Sequence, residues 1–238
     1  VSVLIIVSSN SRLKRLRSKF IGINIVTSVA IARVHNHRMR IILSGRKPEL
    51  VGAWREAFAN EPDVVVTPGD ILAVDCDAIV SPANSFGFMD GGLDLLLSDF
   101  FGWHVQERVQ ALIRARPMGE LLVGEAIIVP TDHPKIPWLI SAPTMRVPMV
   151  VRQSVSAYLA MKALLNAAKA HSDVIPIRSV AIPGLGTGIG KITPSNAARQ
   201  MYAAYKEIIH GPAKHPSSFG EAQQTHIRLN PDANLSET

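Results

Sequence analysis

Three side chains and one loop of this sequence are of types that do chemistry. Asp70, in Pro68-Gly69-Asp70-Ile71, and Asp94, in Gly91-Gly92-Leu93-Asp94, are carboxylates set close behind glycine. Asn84, in Ser81-Pro82-Ala83-Asn84-Ser85, is a neutral carboxamide ten residues before Asp94. Gly184-Leu185-Gly186-Thr187-Gly188-Ile189-Gly190 is a glycine loop between a short apolar run, residues 179–183, and a helix start with Thr193 at the N-cap and Pro194 at the first helical position. A glycine loop lets backbone N–H groups approach a phosphate, and a helix N-terminus adds a favourable dipole. A carboxylate accepts hydrogen bonds from a ligand's N–H or O–H groups. A carboxamide both donates and accepts without carrying a charge. A second carboxylate can take a proton from water. Plainer roles stand beside these. The glycine loop can simply turn, Asp70 and Asn84 can close Asx turns, and Asp94 can be a helix-start acid.

The glycine loop differs from the common fingerprints. A P-loop needs glycine at the position of Leu185 and a hydroxyl residue at that of Ile192, and a dinucleotide fingerprint needs glycine at Ile189 or Lys191.

The elements that must position these groups alternate in type. Strand patterns fall at residues 40–43, 64–67, 77–81, 125–129, 138–142 and 178–182. Helical patterns fall at 48–60, 93–116 with a break near Gly102, 153–170 and 194–209. The interleaving predicts an α/β layered domain with a mixed, largely parallel sheet. In such a sheet the loops at carboxyl strand ends converge on one crevice, which brings Asp70, Asn84, Asp94 and the glycine loop together.

Charge divides the chain. Its formal net charge is +6, but residues 1–38 hold seven basic residues and no acid, which leaves 18 basic against 19 acidic residues in the remainder. The remainder is nearly neutral and lacks a general nucleic-acid footprint. Residues 1–38 are read as a leader ahead of a start at Met39, as a secretory signal, or as a basic arm for RNA or a membrane surface. Residues 39–211 form the expected domain, and 212–238, rich in Pro, Ser and Gln, are expected to be a loosely ordered tail. No run has the length of a membrane span, and a cytoplasmic protein is expected. Cys76 is the single cysteine and no His pair has helical metal spacing, so neither a metal site nor a cofactor is expected. Arg146 either faces a phosphate or is a solvated loop charge.

Four motifs in order carry a resemblance. Gly69-Asp70-Ile71, then Asp77-Ala78-Ile79-Val80 leading to Ala83-Asn84, then Gly91-Gly92-Leu93-Asp94, then Thr187-Gly188-Ile189-Gly190 resemble the motifs of the macro domain family over about residues 64–209. The loop Ser85-Phe86-Gly87-Phe88-Met89-Asp90-Gly91-Gly92 resembles that of a bacterial and phage subgroup. The resemblance implies a three-layer α/β/α fold that binds ADP-ribose. Some members hydrolyse ADP-ribosyl esters or ADP-ribose 1″-phosphate. Carried over by position, Asp70 accepts from the adenine amine and the N–H of Ile71 supports the same ring. Gly91, Gly92 and the N–H groups of Gly186, Thr187, Gly188, Ile189 and Gly190 cradle the diphosphate. Asn84 and Asp94 are the implied catalytic pair, Asn84 on the distal ribose and Asp94 on the attacking water.

The sequence departs from the family pattern in four places. Ser81-Pro82 stands where Asn-Ala is usual, Gly190-Lys191 where an aromatic and glycine are usual, and Asp90 adds a carboxylate. No strand pattern after Ile209 supplies an adenine-stacking aromatic; Phe86 and Phe88 are the candidates to cover the distal ribose. Two function classes follow, a hydrolase acting on an ADP-ribosylated substrate and a non-catalytic ADP-ribose reader. The basic leader alone supports a third, an RNA-associated module. Nucleic-acid binding and oligomeric state are left open.

Overall fold

Alternation in the strands sets the layers. In β1 (Arg40–Gly45) Ile41 and Leu43 join one buried cluster while Ile42 joins another. The same split recurs in β3 (Ala78–Ser81), where Ala78 and Val80 oppose Ile79, and in β6 (Ser179–Ile182), where Val180 and Ile182 oppose Ala181. Strands buried on both faces need cover on both faces, and helices provide it. The structure, a computed structural model, describes residues 39–171 and 177–231.

The remaining strands are β2 (Val64–Pro68), β4 (Ile127–Pro130) and β5 (Trp138–Ser141). The helices are α1 (Pro48–Ala57), α2 (Gly92–Phe101), α3 (His104–Arg114), α4 (Ser156–His171), α5 (Pro194–Ile209) and α6 (Phe219–Leu229). Helices α1, α4 and α5 pack on one face of the sheet through Trp54, Leu164 and Met201, and α2 and α3 pack on the other through Leu97 and Val109. The result is the three-layer α/β/α arrangement with a mixed sheet. Its order is β2-β1-β6-β3-β5-β4, with only β4 antiparallel to its neighbour. β1 is therefore inserted between β2 and β6, a lateral position that chain order does not announce.

The expected break of the long helical pattern falls at Gly102, between α2 and α3. Cys76 is a buried core thiol, its pKa pushed up to about 12 by burial. The chain after Gly211, expected to be loosely ordered, contains α6. Ser218 caps it by accepting from the N–H of Glu221 at 3.2 Å, and the Glu221 carboxylate accepts from the N–H of Ser217 at 2.6 Å. Beyond it Asn230 is buried, bonded to Asn196 and to the carbonyls of Arg152 and Ser154. The alternative readings of residues 1–38 lie outside the described residues. Among the described residues no helix is long and apolar enough to cross a membrane.

Candidate functional site

Every parallel strand sends its carboxyl end to one cleft of about 390 Å³. The end of β1 with the loop after it at residues 44–47, and the segments 69–71 after β2, 82–94 after β3, 144–148 after β5 and 183–190 after β6, supply its walls. β4 runs the other way, and its carboxyl end contributes nothing to these walls. Asp70, Ile71, Asn84, Gly91, Gly92, Asp94, Gly186, Thr187, Gly188, Ile189 and Gly190 all line the cleft, so the structure brings together the catalytic and ligand-binding residues that the resemblance implied, while Phe86 and Arg146 lie outside the wall.

At one end is Asp70. Its Oδ1 accepts from the N–H of Leu72 at 3.1 Å, which caps the 3-10 turn Ile71–Ala73. Its Oδ2 accepts from Arg46 Nη2 at 2.7 Å. The side chain is 41% exposed. The Leu72 N–H, and then the Arg46 guanidinium, hold the carboxyl below the usual carboxylate range. Asp70 thus makes the local turn and faces the cleft as well. Its two oxygens keep further lone pairs for a ligand donor.

At the other end are Asn84 and Asp94. The Asn84 carboxamide closes its own loop. Oδ1 accepts from the N–H groups of Phe86 at 3.1 Å and Phe88 at 3.3 Å, and Nδ2 donates to the Phe88 carbonyl at 2.8 Å. One Nδ2 hydrogen remains for a ligand. Asp94 stands in the first turn of α2 and is only 9% exposed. Its Oδ1 accepts from Ser81 Oγ at 2.6 Å. Burial pushes its pKa up to about 6, against the smaller downward pull of the Ser81 hydroxyl. Ser81 is fully buried at the end of β3. The sequence marks it only as a departure from pattern, because its contact with Asp94 depends on packing between β3 and α2.

Between these ends lies the glycine loop. Gly186 has φ +69 and a Cβ there would lie 2.6 Å from Ile192 Cδ1. At Gly190 a Cβ would lie 2.6 Å from the Gly186 carbonyl oxygen. The loop is pinned by Ile192 N–H to Gly186 O at 3.0 Å and Val151 N–H to Gly190 O at 2.8 Å. Among the described residues the N–H groups of Gly188, Ile189 and Gly190 have no protein partner. The helix starts in the cleft wall are those of α2, at Gly91 and Gly92, and of α1, at its N-cap Lys47, and the α5 start at Thr193 is not part of the wall. Helix N–H groups of the first turn have no partner within the helix, so α2 offers donors and the positive end of its dipole.

Arg146 is not a cleft cation. It makes a bidentate pair with Glu120, at 2.9 and 2.6 Å, and its guanidinium lies 5.0 Å from the centre of the Phe86 ring. It braces the loops from outside the cleft wall, so of its two readings the solvated loop charge stands: its side chain is 61% exposed, though paired with Glu120. Phe88 and Ile189, 54% and 52% exposed, stand in the cleft wall, and Asp90 lies exposed between Phe88 and α2. Arg46 and Lys47 supply basic groups that the sequence reading missed, although they follow a strand and precede a helix start at Pro48 as the other loops do. Among the described residues no cluster of His, Cys, Asp and Glu could hold a metal ion.

Residues 80–201 match the model of the macro domain family. The chain belongs to that family. An uncharacterised protein of Aquifex aeolicus is 34% identical over 139 residues, which cover 58% of this chain and 78% of that protein. A macro domain-containing protein of Cupriavidus necator is 29% identical over 146 residues, 60% of this chain and 80% of that one. Among solved structures, the macrodomain of Mycobacterium tuberculosis DarG aligns at TM-score 0.51 and 22% identity, over 62% of this chain and 92% of that one. The Oceanobacillus iheyensis macrodomain with ADP aligns at TM-score 0.50 and 21% identity, over 60% and 75%. These structural likenesses speak for the fold of the macro domain described above.

Proposed function

We propose that this macro domain binds ADP-ribose and hydrolyses an ADP-ribosyl linkage. The carrying observation is the order of groups along the cleft. Asp70 follows β2, the glycine loop follows β6, and Asn84 follows β3. In the sheet order the glycine loop lies between the other two, and β2 and β3 are three strand spacings apart, roughly 14 Å. The order suits an elongated ligand with an amine-bearing base at one end, a diphosphate in the middle and a ribose at the other end. The Oceanobacillus iheyensis macrodomain, a structural neighbour, is known with ADP, which has the first two of these parts.

Each part has a matching chemistry. The base amine donates to Asp70, beside the backbone of Ile71. The diphosphate takes N–H groups of residues 186–190 and of Gly91 and Gly92, which needs no lysine. The remaining Nδ2 hydrogen of Asn84 orients the distal ribose. Asp94 accepts a proton from water as the water oxygen bonds to the anomeric carbon, and the acceptor leaves with the bonding pair. Its pKa of about 6 makes it a carboxylate at neutral pH while keeping it basic enough to assist. A reader without turnover has little reason to bury a carboxylate near a diphosphate, where like charges repel.

Calorimetry with ADP-ribose, and product analysis with an ADP-ribosyl ester and ADP-ribose 1″-phosphate, test both halves. Binding with release of free ADP-ribose is expected. Binding without turnover of any ADP-ribosylated substrate leaves the reader, and no binding at millimolar ADP-ribose ends the proposal. Residues 39–211 are the proposed functional unit, and the loop at residues 85–92 is what supports grouping it with the bacterial and phage members.

A further inference from the structure

Among the described residues the Asp70 end of the cleft has no aromatic ring. Among the described residues lining the cleft, Phe88 is the one aromatic, and it comes with the loop after β3, far across the sheet from β2. A nucleobase bound by its edge alone leaves its faces in water, and stacking is a large part of base binding. The planar group available beside Asp70 is the Arg46 guanidinium. β1 lies between β2 and β6, so its carboxyl-end loop stands next to both the carboxylate and the glycine loop. The two loops are stitched together: Gly45 pairs with Pro68, and the Gly69 N–H donates to the Gly45 carbonyl at 2.9 Å. Arg46 itself is 66% exposed at its side chain, yet tied at one edge by the 2.7 Å bond to Asp70.

We propose that Arg46 is a specificity-determining residue that covers the nucleobase with the face of its guanidinium, while Asp70 anchors that group and receives the base amine. The assignment rests on the ADP-ribose reading above. A guanidinium is flat, delocalised and weakly hydrated, so it stacks on aromatic rings, whereas a lysine ammonium is a compact hydrated charge that does not. Lys47, the neighbouring cation, is of that second kind and cannot substitute.

The test is calorimetry on the full chain with two ligands: ADP-ribose, and a base-free analogue in which two ribose units are joined through one diphosphate. Arg46→Ala is expected to weaken ADP-ribose roughly ten- to a hundredfold, the usual weight of one stacked base. Arg46→Tyr should recover most of that loss because it restores a flat face without charge. Arg46→Lys should stay close to Arg46→Ala. The base-free analogue should bind all four proteins alike. Recovery by Lys but not by Tyr, or an equal loss with the base-free analogue, would assign Arg46 to the diphosphate and overturn the inference. Unchanged ADP-ribose binding in Arg46→Ala overturns it while leaving the ADP-ribose reading intact. Absence of ADP-ribose binding in the unaltered protein removes that reading itself, and this one with it. Melting temperatures of the variants, expected to match because the side chain is exposed, separate these outcomes from misfolding.

Discussion

Asp70 and Asp94 are the same chemical group in one cleft, and the fold treats them oppositely. Asp70 is half-exposed, receives a backbone N–H and an arginine, and titrates below the usual carboxylate range. Asp94 is buried against the end of β3, receives one serine hydroxyl, and titrates near 6. A carboxylate whose charge is well supported is a steady acceptor for a ligand donor. A carboxylate whose charge is poorly supported is one that gains from taking a proton. Under the proposed function the contrast puts binding at the Asp70 end and chemistry at the Asp94 end, and substitutions at each end can break it.

The largest effect is expected from Asp94→Asn in turnover. If Asp94 assists the attacking water, hydrolysis should fall by roughly two to four decades, the span of general acid–base assistance. ADP-ribose affinity should stay within about tenfold, because the diphosphate and base contacts are untouched. Paired rate and binding measurements check this; a loss of affinity as large as the loss of rate would make Asp94 a binding residue and erase the contrast.

The same substitution should raise stability. A carboxyl pKa raised from 3.8 to about 6 means that the folded protein holds this proton more tightly than the unfolded chain does. The penalty for ionising Asp94 is absent below about pH 4, grows as pH rises, and is complete above about pH 6. It amounts to something on the order of 3 kcal/mol. Asn keeps the acceptor for Ser81 and carries no charge. Urea unfolding of the two proteins at pH 8 and near pH 4 should therefore show Asp94→Asn the more stable at pH 8, with the gap closing in acid. An equal gap at both pH values would mean that the benefit is not electrostatic.

Much of this comparison is visible in residue order. The strands and helices are legible because apolar residues alternate in one and recur at helical spacing in the other, and Gly102 marks the break between α2 and α3. Asp70, Asn84 and Asp94 can be assigned to one cleft because each follows a strand that runs the same way. The lateral order of strands is not legible. Nothing in residues 40–45 says that β1 lies between β2 and β6, and so Arg46 is invisible there as a neighbour of Asp70. Ser81 stands out only as a departure from pattern, since its contact with Asp94 exists only once α2 packs on the sheet. For α6 the signal is present in Ser218-Phe219-Gly220-Glu221, a capping box, but the polar composition around it outweighs that signal.

Asp70→Ala tests the other end. It removes a charged acceptor from the base and the anchor of Arg46 together. A loss of about 1–3 kcal/mol in ADP-ribose binding is expected, the usual weight of a hydrogen bond to a charged group. Turnover at saturating substrate should change little, because Asp94 and Asn84 stand three strand spacings away. A variant that binds normally but turns over slowly would reverse the roles assigned to the two carboxylates.

The finest test concerns Ser81. Its hydroxyl donates to Asp94 Oδ1 at 2.6 Å and favours the charged carboxylate, so it opposes part of the burial effect. The rate of hydrolysis should rise with pH along a limb centred near 6 as Asp94 loses its proton. Without the hydroxyl the ionised form loses its one side-chain donor. The limb in Ser81→Ala should then move to higher pH, while the alkaline plateau falls far less than in Asp94→Asn. Ser141 provides the control. It is paired with Ser81 in register across β3 and β5, is equally buried, and among the described residues its Oγ has no hydrogen-bond partner. Ser141→Ala changes the same volume in the same layer, yet should leave the limb where it is. A limb that moves equally in both variants would trace the shift to loosened packing. A limb that moves in Ser81→Ala alone ties the measured titration to Asp94, and ties the proton acceptor to the buried end of the cleft.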